Sequence, residues 1–302
     1  MAGNCNGFSQ ALSSTRFLVT AGYLPPAGAD ADAVQSISDS LPHNLDAIVV
    51  ADNPEGIRAS AFSAAVALGR SGHSGVILSM ATRDRNRIAL LSDAMGASAL
   101  GISGILCMSG NHQSLGICPQ AAAANDFDSV QFTQALKRMA LQEAGYYRDP
   151  SEPGLDLQIG AIAHPYLRPM GLNVLRLTKK ISVGADFLLT QAVFDIEAFT
   201  QWMDVVRSAG FDKRTAIIAS VLPLTSPEKA KVLQKRRTYG PIGDEVVKRI
   251  QKAADPEKEG VTVAAEIAVR LKDMPGIRGI HVLSNGCEHL AGAVIEQAGL
   301  RD

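Results

Sequence analysis

The sequence has no excess of charge of either sign. Its 302 residues contain 29 lysines and arginines against 30 aspartates and glutamates, which gives a formal charge of −1. Aromatic residues make up only 5% of the chain, and no basic stripe interleaved with aromatic residues is visible. Because nucleic-acid-binding domains usually carry such a stripe, we expect no nucleic-acid partner.

Long apolar runs are also missing. No run reaches the ~18 residues of a membrane span, and the first twenty residues lack a basic region followed by an apolar core. We therefore expect no membrane association and predict a cytoplasmic protein. Hydrophobic residues make up 46% of the chain, which is enough to build the core of one large or two modest domains.

Cysteine is scarce and widely spaced. Cys5, Cys107, Cys118 and Cys287 form no CxxC pair, so neither a zinc ribbon nor a disulfide framework is indicated. Cys107 lies in an apolar run and is interpreted as a core residue. Cys287 and His289 are too few ligands for a metal centre, so we expect no metal.

The two common nucleotide-binding loops are absent. No G-x-G-x-x-G follows the first predicted strand, and no G-x-x-x-x-G-K-[ST] occurs anywhere in the chain. A dinucleotide fold and a P-loop therefore have little support.

One stretch, KKISVGADFLLTQAVFD from Lys179 to Asp195, shows the unit from which the chain is built. A helix ends before Gly184, and residues 186–190 form a short apolar run typical of a strand buried on both faces of a parallel sheet. Asp195 is suited to begin the next helix as its N-cap. Gln191 is the polar residue left at the carboxyl end of the strand, where barrels and open α/β sheets place their chemistry.

The same unit recurs along the chain. Predicted strands, each followed by a helix, cover residues 16–22, 46–51, 76–80, 104–108, 157–163, 186–190, 215–221 and 277–283. Pro54 is placed to begin the helix that runs to Ser71. Eight such units favour a single (β/α)8 TIM barrel domain over residues 16–302, after a lead-in of residues 1–15. A doubly wound open sheet is the alternative, which eight units would overfill.

Polar but mostly uncharged residues follow the predicted strands. They are Gly22, Asp52, Asn53, Ser79, Met80, Gly110, Asn111, His164, Gln191, Leu222, Pro223, Ser284 and Asn285. Such a lining suits a flat neutral heterocycle, whereas hydrolysis needs paired carboxylates, a nucleophile with its base, or a metal cluster. Structural roles are the alternatives: Asp52 to Pro54 can cap a helix, and His281 can pack within its strand.

A basic run, Arg83-Asp84-Arg85-Asn86-Arg87, follows the third strand. It is most simply the solvated start of a helix. Its functional alternative is contact with an anionic tail at the barrel mouth.

Seven motifs occur in a consistent order between residues 16 and 300: VTAGYLPPAGAD, DNPEGIRAS, TRDRNRIALLSDAMGASALGI, CMSGNH, FDSVQ, KKISVGADFLLTQAVFD and PGIRGIHVL. Together they resemble methylenetetrahydrofolate reductases, above all the short single-domain microbial form. The resemblance implies a barrel that binds a flavin (FAD or FMN) and a reduced folate in turn at the strand ends. It also implies hydride transfer between the flavin and the methylene or methyl group on folate N5.

Residue roles can be carried over from that resemblance. Gln191 is expected to hydrogen-bond the pterin, and Lys180 is expected near the flavin or its phosphates. The full set comprises Asn111 and His164 as catalytic residues, Gln191, Asn111, Gly110 and Tyr23 as substrate-binding residues, and Lys180, Ser79, Asn53 and His164 as cofactor-binding residues.

Three positions depart from the family pattern. Gly22 stands where the family has the glutamate that protonates the folate, Asn111 stands where it has an aspartate, and Ser79 aligns with a histidine near the flavin. Loss of a general acid commonly costs about 10²–10⁴ in rate. Reductase chemistry would therefore need a replacement donor, for which the candidates are His164, His112 and the weaker Tyr23.

The sequence leaves three functions open. The first is a flavin-dependent enzyme of the methylene/methyl-tetrahydrofolate couple. The second is a flavin-free methyltransferase that moves a methyl group between tetrahydrofolate and a corrinoid protein or another acceptor. The third is a non-catalytic folate-binding subunit of a larger redox or methyl-transfer complex, with a redox subunit or a corrinoid protein as its partner. A homo-oligomer is compatible with each of them.

Overall fold

Eight parallel strands close into a barrel in the computed structural model, which describes residues 7–54, 56–73, 75–143, 153–236 and 239–301. Each strand pairs with the next in the sequence, and β8 pairs with β1. The strands are β1 (Leu18–Tyr23), β2 (Ala47–Val50), β3 (Val76–Ala81), β4 (Gly104–Met108), β5 (Gln158–Ala163), β6 (Phe187–Ala192), β7 (Ala216–Val221) and β8 (Ile277–Val282). The predicted (β/α)8 barrel is confirmed, and the open sheet is wrong because no edge is left unpaired.

Helices follow the strands and pack around the barrel. They are α1 (Gly7–Ser13), α2 (Ala31–Asp39), α3 (Ala61–Arg70), α4 (Arg87–Ala99), α5 (Ser129–Ala140), α6 (Met170–Ser182), α7 (Ile196–Ser208), α8 (Pro227–Arg236), α9 (Asp244–Lys252), α10 (Pro256–Lys272) and α11 (Leu290–Gln297). Asp195 caps α7 as predicted, since its side chain accepts the Ala198 N–H. In the described part of the chain, every helix is too short or too polar to cross a membrane.

Successive residues of each strand point to opposite faces, so the barrel has two separate cores. Val19, Ala21 and Tyr23 belong to the large core between the strands and the helices, whereas Leu18 belongs to a smaller core inside the barrel. Cys107 lies in the outer core, as predicted.

Helix α1 closes the amino end of the barrel. Its Phe8 is fully buried and meets the Phe187 ring edge-on, with 5.4 Å between ring centroids. Gly160 makes room for this plug, because a Cβ at that position would lie 2.2 Å from the Phe187 ring. The predicted lead-in therefore contains a structural helix; its residues 1–6 lie outside the described residues.

One predicted boundary is wrong in a way that matters for the site. Pro54 does not begin a helix, since α3 begins only at Ala61. Asn53 adopts a left-handed conformation with φ 44°, and its Oδ1 accepts the Arg58 N–H at 2.9 Å. This turn holds Asn53 and Arg58 in a loop at the carboxyl end of the barrel.

Candidate functional site

A cavity of about 630 Å³ opens at the carboxyl ends of the strands. All eight predicted site residues contribute to its lining: Tyr23, Asn53, Ser79, Gly110, Asn111, His164, Lys180 and Gln191. Gly22, His281 and Ser284 line it as well. The convergence of strand ends thus gathers residues that lie up to 262 positions apart in the sequence.

Gln191 and His164 form a hydrogen-bonded pair on neighbouring strands. Gln191 lies inside β6 rather than just beyond it, and its side chain bonds to that of His164, which follows β5. Desolvation by the surrounding protein and the nearby charge of Lys180 lower the pKa of His164 below its ordinary value. The imidazole is therefore neutral at pH 7 and acts as a hydrogen-bonding group there rather than as a strong proton donor.

The loop that carries His164 is fixed from α6. The Asn173 side chain is almost fully buried, and its Nδ2 donates to the His164 carbonyl at 2.8 Å. Asn173 thereby fixes the backbone at His164 while the His164 ring lines the cavity.

Lys180 reaches from α6 to the strand ends, where its Nζ donates to the Ile162 carbonyl. Burial, reinforced by the charge of Arg176, lowers the pKa of Lys180 to about 8. The side chain therefore remains mostly a cation at pH 7 and loses its proton more readily than an exposed lysine does.

On the opposite side of the mouth, the space beside Gly22 is already filled. A Cβ at position 22 would lie 3.1 Å from the Ser284 backbone N and 3.3 Å from its Oγ. The His281 Nε2 would be 3.6 Å away. An acidic side chain in this position would require Ser284 or His281 to move.

His281 is buried and faces the inside of the barrel rather than the layer of helices. Its Nδ1 lies 3.0 Å from the Thr20 Oγ1, and burial lowers the pKa of the ring to about 3. The sequence interpretation as a packed residue missed its place at the cavity. The signal that could have revealed it is strand alternation, because parallel pairing sets Thr20 beside His281 on the same face.

Tyr23 borders the cavity, but its side chain packs in the outer core. Its hydroxyl is buried and has no hydrogen-bond partner among the described residues. Burial raises the pKa of Tyr23 to about 12. His112 lies in a neighbouring depression, with its Nδ1 2.8 Å from the Ser114 Oγ. Neither residue is placed beside Gly22 as a ready proton donor.

Arg83 ties together three loops at the mouth. Its guanidinium donates to the Asn111 carbonyl at 2.7 Å and to the Asn53 carbonyl at 3.3 Å, and it pairs with Asp84. Gly110 has a φ of 78°, and a Cβ there would lie 3.3 Å from the Ala81 and Arg83 side chains. This glycine is thus required by the turn itself. The exposed Asn111 side chain makes no hydrogen bond to a described residue, so its amide is available to a ligand.

The other basic residues of the run after β3 are also paired. Arg85 forms two hydrogen bonds with the buried carboxylate of Asp52, at 3.0 and 3.1 Å. Arg87 pairs with Asp126 at 2.7 Å. Because these cations already have carboxylate partners, the interpretation of the run as an anion-binding loop loses its support.

A flavin fits part of this lining. Lys180 supplies a half-buried cation, and the Ser79 hydroxyl lines the cavity without a hydrogen bond to any described residue. The Asn53 side chain, by contrast, is turned into its own loop. For metal ions, no group of three or more His, Cys, Asp or Glu with suitable spacing occurs among the residues that the structure describes.

Sequence comparison places the chain among known proteins. The family model described as methylenetetrahydrofolate reductase matches residues 8–299. Methylenetetrahydrofolate reductase 2 of Saccharomyces cerevisiae is 24% identical over 164 residues, which cover 50% of this chain and 26% of the yeast protein. The 5,10-methylenetetrahydrofolate reductase of Escherichia coli is 26% identical over 153 residues, or 48% of this chain and 51% of that protein. The chain thus spans about half or less of the length of these relatives.

Solved structures share the barrel. An uncharacterized protein from Clostridium thermocellum, described as binding two copies of 5-methyl-5,6,7,8-tetrahydrofolic acid, has a TM-score of 0.67 and 16% identity. The match covers 97% of this chain and 99% of that one. A 2,3-dimethylmalate lyase has a TM-score of 0.55 and 13% identity, over 99% of this chain and 85% of the lyase. At these identities the likeness concerns the fold.

Proposed function

Because this chain belongs to the methylenetetrahydrofolate reductase family, we propose that it is a folate-dependent one-carbon enzyme whose barrel mouth binds a reduced folate. Its substrates are the methylene and methyl forms of tetrahydrofolate. The methyltetrahydrofolate bound by the structurally similar Clostridium thermocellum protein supports this choice of ligand.

The observation that carries the proposal is the paired amide at the end of β6. The side chain of Gln191 is fixed by His164 and lines the cavity. A carboxamide donates and accepts hydrogen bonds in one plane, which matches the alternating donors and acceptors on the edge of a pterin. Asn111 presents a second amide on the same cavity. Neutral polar groups of this kind bind a neutral heterocycle without the cost of burying an unpaired charge.

A second candidate is methyl transfer, because Gly22 has no side chain that could protonate the folate when the methylene bridge opens. Reduction of the methylene bridge needs a hydride at the carbon and a proton at the departing nitrogen. Beside Gly22 stand Ser284 and His281, whose pKa of about 3 leaves it unprotonated at neutral pH. Methyl transfer from N5 to a nucleophile, such as a corrinoid or a thiol, breaks the N5–methyl bond and leaves its electron pair on N5, which takes up one proton from solvent at the open mouth. This reaction needs neither a hydride donor nor an acid that opens a methylene bridge.

The test begins with calorimetry of the full chain with 5-methyltetrahydrofolate. We expect one folate to bind at the mouth, and an absence of binding would overturn the proposal. The visible spectrum of the purified protein, before and after addition of FAD or FMN, then separates the two reactions. Bound flavin with oxidation of methyltetrahydrofolate supports the redox couple. Methyl exchange with methylcobalamin in flavin-free protein supports transfer, and folate binding without either reaction assigns the chain to a non-catalytic subunit.

A further inference from the structure

Lys229 and Cys287 meet beside the barrel mouth, 58 positions apart in the sequence. Lys229 lies in the first turn of α8, and Cys287 lies in the loop after β8. The Lys229 Nζ donates to the Cys287 Sγ at 3.3 Å and to the Asn285 carbonyl at 3.3 Å. An amine and a thiol, both chemically reactive groups, are therefore already in contact through the two atoms that would react.

Both side chains project from a backbone that is held in place. The Cys287 N–H donates to the Ser284 carbonyl at 2.9 Å, and the Cys287 carbonyl accepts the Leu290 N–H at 3.1 Å. The Lys229 N–H donates to the Ser226 Oγ at 3.1 Å. The contact between the amine and the thiol thus needs no movement of α8 or of the loop.

No carboxylate competes for the Lys229 amine. Within the described ranges, Lys229 forms no salt bridge. Glu288 follows Cys287 directly, but its side chain is almost fully buried and its Oε1 accepts the Leu24 N–H at 2.8 Å. Because the amine is not held in an ion pair, it can give up a proton and act as a nucleophile toward the neighbouring sulfur.

The other cysteines that the structure describes lack this combination. Cys107 is 1% exposed, and burial raises its pKa to about 12, so its thiol stays protonated and unreactive. Cys118 is partly exposed, but it makes no hydrogen bond to a lysine of the described ranges. Cys287 is partly exposed and also touches an amine.

We propose that Cys287 and Lys229 form a modification site at which hydrogen peroxide joins the two side chains through a sulfur–nitrogen bond. In the first step, the Cys287 sulfur attacks the peroxide. An S–O bond forms, the O–O bond breaks and water leaves, so the sulfur is oxidised to a sulfenic acid and the peroxide is reduced.

In the second step, the Lys229 nitrogen attacks the oxidised sulfur after giving one proton to solvent. The S–N bond forms and the S–O bond breaks, and the departing hydroxide takes a second proton from the nitrogen and leaves as water. One thiol, one neutral amine and one peroxide thus yield one sulfenamide and two waters.

Proximity favours this second step. Reacting atoms in productive complexes lie about 3–3.5 Å apart, so the Lys229 amine attacks at an effective concentration that a thiol in solution does not reach. The product ties α8 to the loop after β8, whose Asn285 lines the mouth cavity. It also converts a cation beside the mouth into a neutral N–H group. The inference does not depend on the proposed function.

The experiment treats the full chain with hydrogen peroxide, blocks the remaining thiols after denaturation, and identifies linked peptides by mass spectrometry. We expect a peptide pair that joins Cys287 to Lys229, lighter by two hydrogen atoms than the reduced peptides together. It should be at least about tenfold more abundant than any pair that contains Cys118, which has no amine in contact. Dithiothreitol should release the pair.

The link should also raise the melting temperature. It closes a loop of 58 residues, which removes conformational entropy from the unfolded chain. For a protein of this size the expected increase is about 5 °C. Calorimetric melting of the oxidised protein, before and after addition of dithiothreitol, measures the increase and its reversal.

Three substitutions locate the link. Lys229→Arg keeps the positive charge but replaces the amine with a poorly nucleophilic guanidinium, so the link should be lost and dimedone should label Cys287. Lys231→Arg is the matched control, because Lys231 is exposed on the same helix and makes no hydrogen bond to Cys287. It should form as much link as the wild type. Cys287→Ser should abolish the link and the rise in melting temperature, and it decides the matter if Lys229→Arg does not fold.

The outcomes are distinct. Oxidation of Cys287 to a sulfinic acid without a bond to Lys229 overturns the inference. A Cys287 thiol that stays reduced while Cys118 is oxidised overturns it as well. A link of Cys287 that survives in Lys229→Arg would assign a different amine and would also contradict it. Folate binding does not enter any of these measurements, so this inference and the proposed function fail separately.

Discussion

At the amino end of the barrel, Phe8 packs edge-on against Phe187 inside a core of almost fully buried apolar side chains. At the carboxyl end of the same strands, Ser79, His164 and Gln191 line an open cavity. Each strand thus begins beside the apolar inner core and ends beside the open cavity. The amino end is closed by dispersion and hydrophobic burial, whereas at the carboxyl end the side chains of Ser79 and Asn111 make no hydrogen bond to any described residue. We therefore expect stability and the proposed folate recognition to depend on different ends of one structure, and substitutions can separate the two properties.

The largest effect is expected at the closed end. Phe8→Ala should lower the free energy of unfolding by about 3–5 kcal/mol, because it removes a fully buried ring and leaves a cavity. Denaturant unfolding measures this loss, with Leu115→Ala, at an exposed leucine, as control. Folate affinity of the folded Phe8→Ala variant should equal that of the wild type. A loss below about 1 kcal/mol, or a change in folate binding without unfolding, would contradict the separation of the two ends.

The second-largest effect is expected in the pH dependence of the free energy of unfolding, and it comes from His281. His281 has a folded-state pKa of about 3 against an ordinary 6.5, so the unfolded chain binds more protons between these values. Stability from the neutral ring is complete above pH 6.5 and is lost as pH falls toward 3. At about 1.4 kcal/mol per pKa unit, His281→Gln should lose about 2–3 kcal/mol less stability than wild type between pH 6.5 and 4.

Unfolding curves at several pH values test this expectation. His112→Gln, which replaces an exposed imidazole, is the matched control and should follow the wild-type curve. Identical acid limbs for wild type and His281→Gln would show that the ring is not held neutral by the barrel.

A smaller effect is expected at the open end. Gln191→Ala should weaken binding of 5-methyltetrahydrofolate about tenfold, the cost of roughly 1.4 kcal/mol in lost hydrogen bonding. Its free energy of unfolding should change by less than about 1 kcal/mol, since Gln191 is only half-buried. Calorimetry and denaturant unfolding of the same preparation measure both quantities. Unchanged affinity for 5-methyltetrahydrofolate would show that the Gln191 amide does not contact the pterin.

The smallest effect is expected for Ser79→Ala. The hydroxyl makes no hydrogen bond within the described chain, so its removal should shift stability by about 0.5 kcal/mol or less. If a flavin occupies this side of the cavity, the variant should weaken FAD or FMN binding measured by absorbance titration. An unchanged flavin affinity would place the cofactor elsewhere.

The sequence predicted the barrel because its signal is repeated. Apolar runs such as residues 104–108 are buried on both faces, and the prediction of this strand matches β4 in both bounds. The location of the predicted site residues also followed from the fold, since the carboxyl ends of parallel strands converge. Both predictions depend only on the local pattern of apolar strands and on the rule that eight strand-helix units close into a barrel.

What the sequence did not reveal depends on contacts between distant residues. Pro54 resembles a helix start locally, but Arg58 bonds to the Pro25 carbonyl and Arg85 bonds to the Asp52 carboxylate, and no local pattern encodes these contacts. The role of His281 likewise depends on its register with Thr20 across the closing pair of strands. Periodicity assigns a face to such a residue only after the barrel is known to close.

The guanidinium of Arg83 joins the backbone carbonyls of Asn53 and Asn111 from a position between them. Because one planar guanidinium bonds to both loops, we expect a shift of either loop to change the position of the other. Ligand contact at the fourth strand would be felt at the second without any displacement of the strands. Arg83 therefore links the loops that follow β2 and β4 directly, and a spectroscopic label on its side chain should respond to a change in either loop.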